Sequence, residues 1–426
     1  MLNVWVSRNV VGSVDRDPAE EGDYVFAYHS TLQAGQDVSL TMPYSLESYS
    51  YKNGLHPVFQ MNLPEGRLRE SIERMFRKRA SNYDQLSLLE AVGRSQIGRL
   101  RFSNDPGVID QVPLQSVHEL IAYAGTEDLL RDLLDRFSGV SGVSGVQPKV
   151  LIKDQDYAKP DHDGATVTVT VKGATHIVKA WDANEFPHLA ANEFFCMRAA
   201  RHAGLSVPQM TLSDNNKLLV VERFDLATNG EYLGFEDFCS LNGIGTDGKY
   251  EGSYDRLAKR IQEFVSPEHR AHALETFFRS LALTCAVKNG DAHLKNFGVL
   301  YEAADKPVRL APCYDIVTTT PYIKGDSLAL LLEGSKSFPK AKKLLNFAKL
   351  HCNIQPATAK RILEEVAEAV VKTMDDVHQH IKDHLDFKEI GEAMLREWNE
   401  GLNLSCRPDQ ERTISFSGRA PQEPST

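Results

Sequence analysis

The sequence predicts an α+β protein of two lobes, preceded by a further α+β subdomain and closed by a mostly helical C-terminal lobe. Three observations carry this expectation. Apolar residues alternate with polar ones in "LNVWVSRNVVGSV" and again in "DVSLTMPY", the period-2 pattern of strands, before helical spacing takes over in "EGRLRESIERMFRKRA" and "YDQLSLLEAVG". The middle of the chain then reads strand, strand, helix, strand. After about residue 232 nearly every apolar pattern has helical period.

The first unit spans residues 1–108, because "SNDPGVIDQVP" is rich in turn formers. The second spans 109–231. It opens with a short helical stretch from 113 to 136 and continues through a Gly/Ser-rich loop at 138–149, "SGVSGVSGVQPK". "VLIKD" follows as a strand, and "ATVTVTVKGATHIVKAW" predicts a hairpin, with Val and Thr alternating on either side of Lys172-Gly173. "NEFFCMRAARHAGL" is helical, and "NKLLVVERFD" is a buried strand that turns polar at its end. The third unit, 232–405, contains the helices "SYDRLAKRIQEFV" and "RAHALETFFRSLALTCAVKNG". In its last long helix, Ile362, Val366, Val370, Met374 and Val377 share one face. The tail from 406 to 426 is polar, with Pro and Gly, and is expected to be disordered.

Composition narrows the function classes. A formal net charge of −10 over 426 residues argues against coating nucleic acid by bulk electrostatics. The 6 cysteines are scattered without a CxxC pair and sit mostly in apolar surroundings such as "LALTCAV", which suits a reducing compartment and supplies neither a disulfide frame nor a zinc site. The N-terminus lacks a basic region followed by a long apolar core, and no apolar run approaches the roughly 20 residues needed to cross a bilayer. A cytoplasmic protein without membrane contact is expected.

The chemistry gathers in "KNGDAHLKNFGVL", residues 288–300, where a polar run follows a buried helix. Phosphoryl transfer needs a carboxylate that orients and accepts the proton of an attacking hydroxyl, oxygen ligands for magnesium, and a cation on the phosphates. Asp291 stands five residues before Asn296, the catalytic-loop spacing of protein kinases. Asp291 is therefore the candidate base and Asn296 a candidate magnesium ligand. "FGVLY", the turn "EAADKP" and a second strand "VRLAPCY" would return Asp315 beside that loop as the other metal ligand. Lys295 could face the γ-phosphate or solvent, and His293 could line the same site or support the loop from below. Lys179, at the end of "THIVK", is the candidate cation on the α- and β-phosphates, with Glu193 of the next helix to hold it. Glu222 to Phe224 would be the hinge whose backbone meets the adenine edge, with Phe224 packed nearby.

These segments, in this order, resemble the HipA family of bacterial serine/threonine kinases, the toxins of type II toxin–antitoxin modules. "NLPEGRLRE" and "LLEAVGRSQIG" look like its N-terminal subdomain, "SGVQPK" like its regulatory loop, and "HIVK" and "NEFFC" like its small lobe. "VVERFD" is similar to its hinge, "FEDFC" followed by "KYEG" to the start of its large lobe, and "GDAHLKNF" and "YDI" to its catalytic and metal-binding segments. The resemblance implies a protein-kinase-like fold, ATP and Mg2+ as cofactors, and a Ser/Thr acceptor on a protein such as an aminoacyl-tRNA synthetase. It also implies growth arrest or persistence on release, and a helix-turn-helix antitoxin of the HipB type through which operator DNA is met. Gln147 and Lys149 would belong to the loop above the nucleotide. Members commonly autophosphorylate a loop serine two residues before the position of Ser144, where this chain has Gly142; Ser144 and then Ser141 are the remaining candidates. Two rivals stay open on the residues. One is a small-molecule phosphotransferase, which also uses a G-D-x-H-x-x-N loop. The other is a binding module or corepressor that buttresses a DNA-bound antitoxin.

Overall fold

A computed structural model describes residues 1–66, 69, 84–122, 143, 149–160, 166–168, 171–181 and 185–407. The segment "EGRLRESIERMFRKRA" beyond Gly66, apart from Arg69, lies outside the described residues, as do Ser141, Ser144, Gln147 and the tail from 408 onward.

The N-terminal sheet has five antiparallel strands, β1 (Leu2–Val6), β2 (Asn9–Arg16), β3 (Tyr24–Tyr28), β4 (Tyr49–Tyr51) and β5 (Leu100–Phe102), in the order β4-β3-β2-β1-β5. Leu2, Val4 and Val6 point one way along β1 and are buried, while Asn3 and Trp5 between them are half-buried, as the pleat requires. That face packs on Val58, Phe59, Leu86 and Leu89 in a core of its own. "DVSLTMPY" forms no strand but a tight bridge of Ser39 with Met42. Its polar groups are spent elsewhere: the Ser39 hydroxyl and the Leu40 N–H both donate to the Glu236 carboxylate, the latter at 2.8 Å.

The middle sheet contains β6 (Lys149–Ile152), β9 (His176–Ala180), β10 (Met210–Leu212) and β11 (Leu218–Glu222), ordered β10-β11-β9-β6. Between them β7 (Ala158–Pro160) and β8 (Thr166–Thr168) form a separate two-stranded ribbon. The hairpin expected around Lys172-Gly173 is thus absent among the described residues, since β8 pairs with β7 while β9 pairs with β6 and β11. Gly173 is instead wedged against a neighbouring segment, where a Cβ would lie 2.5 Å from the Tyr232 hydroxyl. The Leu189–His202 helix follows β9 and buries its Ala191, Phe195, Cys196 and Ala199.

The remaining regular structure is helical, apart from β12 (Gly234–Asp237), β13 (Gly298–Tyr301) and β14 (Arg309–Leu310). Helices Tyr254–Phe264, Pro267–Ala286, Pro356–Asp383 and Lys388–Gly401 share one large core with the Leu189–His202 helix. Ile362, Val366, Val370 and Val377 do line one buried face. β14 is shorter than the expected strand "VRLAPCY", because Pro312 has no N–H to continue the ladder. The end of the described chain also departs from expectation. Cys406, placed in the tail by its sequence, is buried in the large core, and Ser405 donates to the Pro339 carbonyl at 2.7 Å.

Candidate active site

A cleft of about 840 Å³ opens where the middle sheet, the helical lobe and the N-terminal unit meet. Its deep end is set by strand register. Lys149 and Lys179 are directly opposed on β6 and β9, and both are buried. Two like charges facing each other across strands repel, so this pair requires anions. Lys179 donates to Glu193 at 2.6 Å and also bonds the Asp315 carboxylate, whose other oxygen lies 4.0 Å from Lys149. Burial works against the charge of Lys179, but Asp315 and Glu193 outweigh it and raise its pKa. Burial likewise opposes ionisation of Asp315, yet the two lysines hold its carboxyl far below the usual range. Glu193 is pushed up, chiefly by burial. Asp315 has φ +55°, a left-handed conformation that Asp tolerates better than most residues. The Leu189–His202 helix is tied to the segment after Asp315 by Asn192, which donates to the Thr318 carbonyl at 2.9 Å and accepts from the Thr318 N–H at 2.8 Å.

The polar run forms the other wall. Asp291 is fixed through its backbone by Asn289 Oδ1, 2.9 Å away, while the Tyr250 hydroxyl donates to its Oδ1 at 2.7 Å. Burial raises the Asp291 pKa, the Tyr250 bond and the Lys249 charge lower it, and Asp315 and Asp326 add to the rise. Gly290 admits no side chain, since a Cβ would stand 2.0 Å from Asp326 Oδ2. Its N–H donates to the Thr319 hydroxyl at 2.8 Å, and that hydroxyl bonds Asp326. Asn296 Oδ1 accepts from the His293 N–H at 3.0 Å. His293 is buried, its pKa is lowered to about 3 by burial and by Lys249 and Lys295, and its Nδ1 has no partner. Tyr314, next to Asp315, donates to the Lys295 carbonyl at 2.7 Å, so the segments ending in Asn296 and Asp315 lie side by side.

At the expected hinge, Phe224 stacks on Tyr314 with ring centroids 5.3 Å apart. The Glu222 carboxylate is engaged by the Tyr157 hydroxyl at 2.6 Å. Arg223 forms a buried two-point pair with Asp225, at 2.9 and 2.6 Å, and lies over Tyr232, whose ring is also covered by Arg101. Asp225 accepts from the Gly98 N–H at 2.6 Å, which fastens the hinge to the N-terminal unit.

The cleft therefore brings together Lys149, Lys179, Glu222, Phe224, Asp291, His293, Lys295, Asn296 and Asp315. Of the Gly/Ser-rich loop, Lys149 at its end and Val143, which stands between the two serine candidates in the sequence, are described; both are buried and line the cleft. Sequence reasoning assigned no role to Glu65, Lys249, Tyr250, Asp237 or Asp326, which also line it. "NLPEGRLRE" and "KYEG" contained three of them and were legible only as family segments. Among the described residues no group of three His, Cys, Asp or Glu is arranged to hold a metal by itself. Magnesium bound with phosphates and waters needs only one or two protein oxygens. The ionised Asp315 and Asn296, on segments joined by the Tyr314–Lys295 hydrogen bond, fit that demand.

A two-lobed, protein-kinase-like α+β architecture with its polar centre in the interlobe cleft is the class defined by this fold and site. A HipA-like C-terminal domain matches residues 141–374, more than half of the chain, and a HipA N-terminal domain matches residues 2–103. The chain belongs to the HipA family. It is 30% identical over 347 residues to Y4mE of Sinorhizobium fredii, a kinase by name, covering 76% of this chain and 78% of the relative. To the serine/threonine-protein kinase toxin HipA of Shewanella oneidensis it is 26% identical over 346 residues, covering 75% and 76%. The fold is also similar to HipA in a Shewanella oneidensis complex with HipB and operator DNA, at TM-score 0.62 and 19% identity over 95% of this chain and all of the other. Among the described residues no helix is long and apolar enough to cross a membrane.

Proposed function

We propose that the chain is an ATP-dependent serine/threonine-protein kinase, the toxin of a type II toxin–antitoxin module neutralised by a helix-turn-helix antitoxin. The observation that carries this reading is the Lys179–Glu193–Asp315 set facing Asp291 across one cleft. Lys179 and Lys149 would hold the nucleotide phosphates, the Phe224 backbone the adenine edge, and Asn296 and Asp315 a magnesium ion that neutralises charge on the phosphates. Asp291 would orient the acceptor hydroxyl and take its proton, a role that contributes about 10²–10⁴-fold to rate. His293, neutral at physiological pH, would line the same cleft without adding charge.

The resemblance and the named relatives support a protein acceptor, an antitoxin and operator DNA met through it. A fixed N-terminal unit fused to the hinge through Gly98 and Asp225 favours this reading over a small-molecule phosphotransferase, which is not expected to need such a unit. The test is transfer of γ-phosphate in bacterial lysate, with mass spectrometry of the products. Products present with the wild type and absent with Asp291→Asn support the proposal; an absence of any Asp291-dependent product rejects it. The same experiment reads Ser144 and Ser141, one of which we propose as the autophosphorylated residue.

A further inference from the structure

The N-terminal unit sends a carboxylate into the catalytic cleft. Glu65 Oε2 accepts from Lys249 at 2.7 Å and Glu65 Oε1 from Lys295 at 3.0 Å. All three side chains are largely buried, at 14%, 11% and 8% exposed. The seating extends beyond one ion pair. Lys295 also donates to the Met61 carbonyl at 3.2 Å, and the Asp237 N–H meets Met61 Sδ at 3.3 Å. Asn62 holds the segment from behind by donating to the Ile97 carbonyl at 2.9 Å. Gly66 follows at φ +51°, a left-handed turn that suits glycine.

The two lysines meet at the catalytic loop. Lys295 lies within it, one residue before Asn296, and Lys249 precedes Tyr250, the residue bonded to Asp291. Two buried ammonium groups side by side would repel and move apart without an anion between them. Glu65 is positioned to supply that anion, with one carboxylate oxygen on each ammonium group. We infer that Glu65 is a positioning residue of the phosphoryl-transfer end of the cleft, contributed by the N-terminal unit. It bridges Lys249 and Lys295 so that the loop bearing Asp291 and Asn296 keeps its geometry. The inference rests on the kinase reading. It makes the N-terminal unit a part of the active centre, not an appended domain.

The prediction is a split between binding and turnover. At the deep end Lys179 and Lys149 are held by Asp315, so nucleotide affinity should survive the removal of Glu65. The loop is another matter, because displacements of about 1 Å near the reacting atoms can cost roughly 100-fold in rate. Full-length Glu65→Gln keeps the shape and removes the charge. Binding of Mg-ATP, measured by titration calorimetry, should stay within about threefold of wild type, while kcat for ATP turnover falls about 10–100-fold. Glu65→Asp, too short to span both lysines, should be intermediate in kcat, and it carries the test if Glu65→Gln fails to fold. Equal losses of affinity and kcat in the variants would mark a merely structural residue and overturn the inference. So would tighter nucleotide binding with undiminished kcat, the signature of a carboxylate that only occupies phosphate space. If the wild type itself neither binds nor turns over Mg-ATP, the kinase reading fails instead.

Discussion

The two ends of the cleft are built on opposite electrostatic plans. At the deep end every charge is matched: the opposed Lys149 and Lys179 are answered by Asp315 and Glu193, all within a few ångströms. At the catalytic-loop end, charges are shared and polar atoms are left over. One oxygen of Asp291 accepts from Tyr250, and His293 Nδ1 is buried without a partner. A matched set is rigid and holds position; a partly unspent set has hydrogen-bonding capacity for a substrate. In the proposed kinase the deep end would be the grip, and the loop end the place where bonds are exchanged.

The sharpest way to break this contrast is Asp291→Asn. The amide keeps the Tyr250 neighbour but cannot accept the proton, so transfer should fall about 10²–10⁴-fold while Mg-ATP affinity changes little. Coupled loss of affinity would mean that the two ends do not divide the work. Next in size is Lys179→Met, aimed at the grip. It leaves the buried Glu193 and its neighbour Asp315 without their shared cation, and breaking such a set costs about 3–5 kcal/mol. The urea midpoint should drop sharply, and affinity with it. A stable variant would show that the deep carboxylates can relax or take up protons.

Asp237 tests a third charge, set behind the loop end. Burial lifts its pKa to about 6, with Lys295 pulling against the rise. A raised carboxyl pKa means that the folded state holds the proton more tightly than the unfolded chain. Its stabilising contribution is complete below the ordinary value of 3.8 and is lost as pH climbs through about 6. Asp237→Asn, which can still accept from the Ser240 N–H, should therefore gain on the wild type between pH 4 and pH 7. The gain is at most about 3 kcal/mol. Stability differences that stay flat across that window would show that Asp237 is ionised throughout.

The same contrast separates what the sequence made legible from what it did not. Asp291 and Asn296 could be singled out by their five-residue interval in one loop, Asp315 by the strand–turn–strand that would return it, and Lys179 and Glu193 by the strand and the following helix that carry them. The helices Tyr254–Phe264 and Pro267–Ala286 were legible for a related reason, their periodic apolar faces. Glu65 and Asp326 reach the cleft from opposite sides of the chain, and no local period encodes a lone carboxylate brought in by tertiary packing. The hairpin expected at Lys172-Gly173 failed through the same blindness. Alternating Val and Thr specify a strand but not its partner, and the long-range register that opposes Lys149 to Lys179 decides the pairing.

The smallest expected effect belongs to Tyr250, and it probes the loop end most finely. Its hydroxyl donates to Asp291 at 2.7 Å, and the residue is 44% exposed, so the bond is partly screened by water. Donation to a carboxylate favours the ionised form, and Tyr250 accordingly lowers the Asp291 pKa against the rise that burial imposes. A base must be ionised to act. Tyr250→Phe removes the donor, lets the Asp291 pKa climb, and should move the acid limb of the kcat profile to higher pH by less than about one unit. At pH 8, above that limb, the variant should turn over within about tenfold of wild type. A limb that moves down, or does not move, would mean that Asp291 is not the group whose ionisation the profile reports.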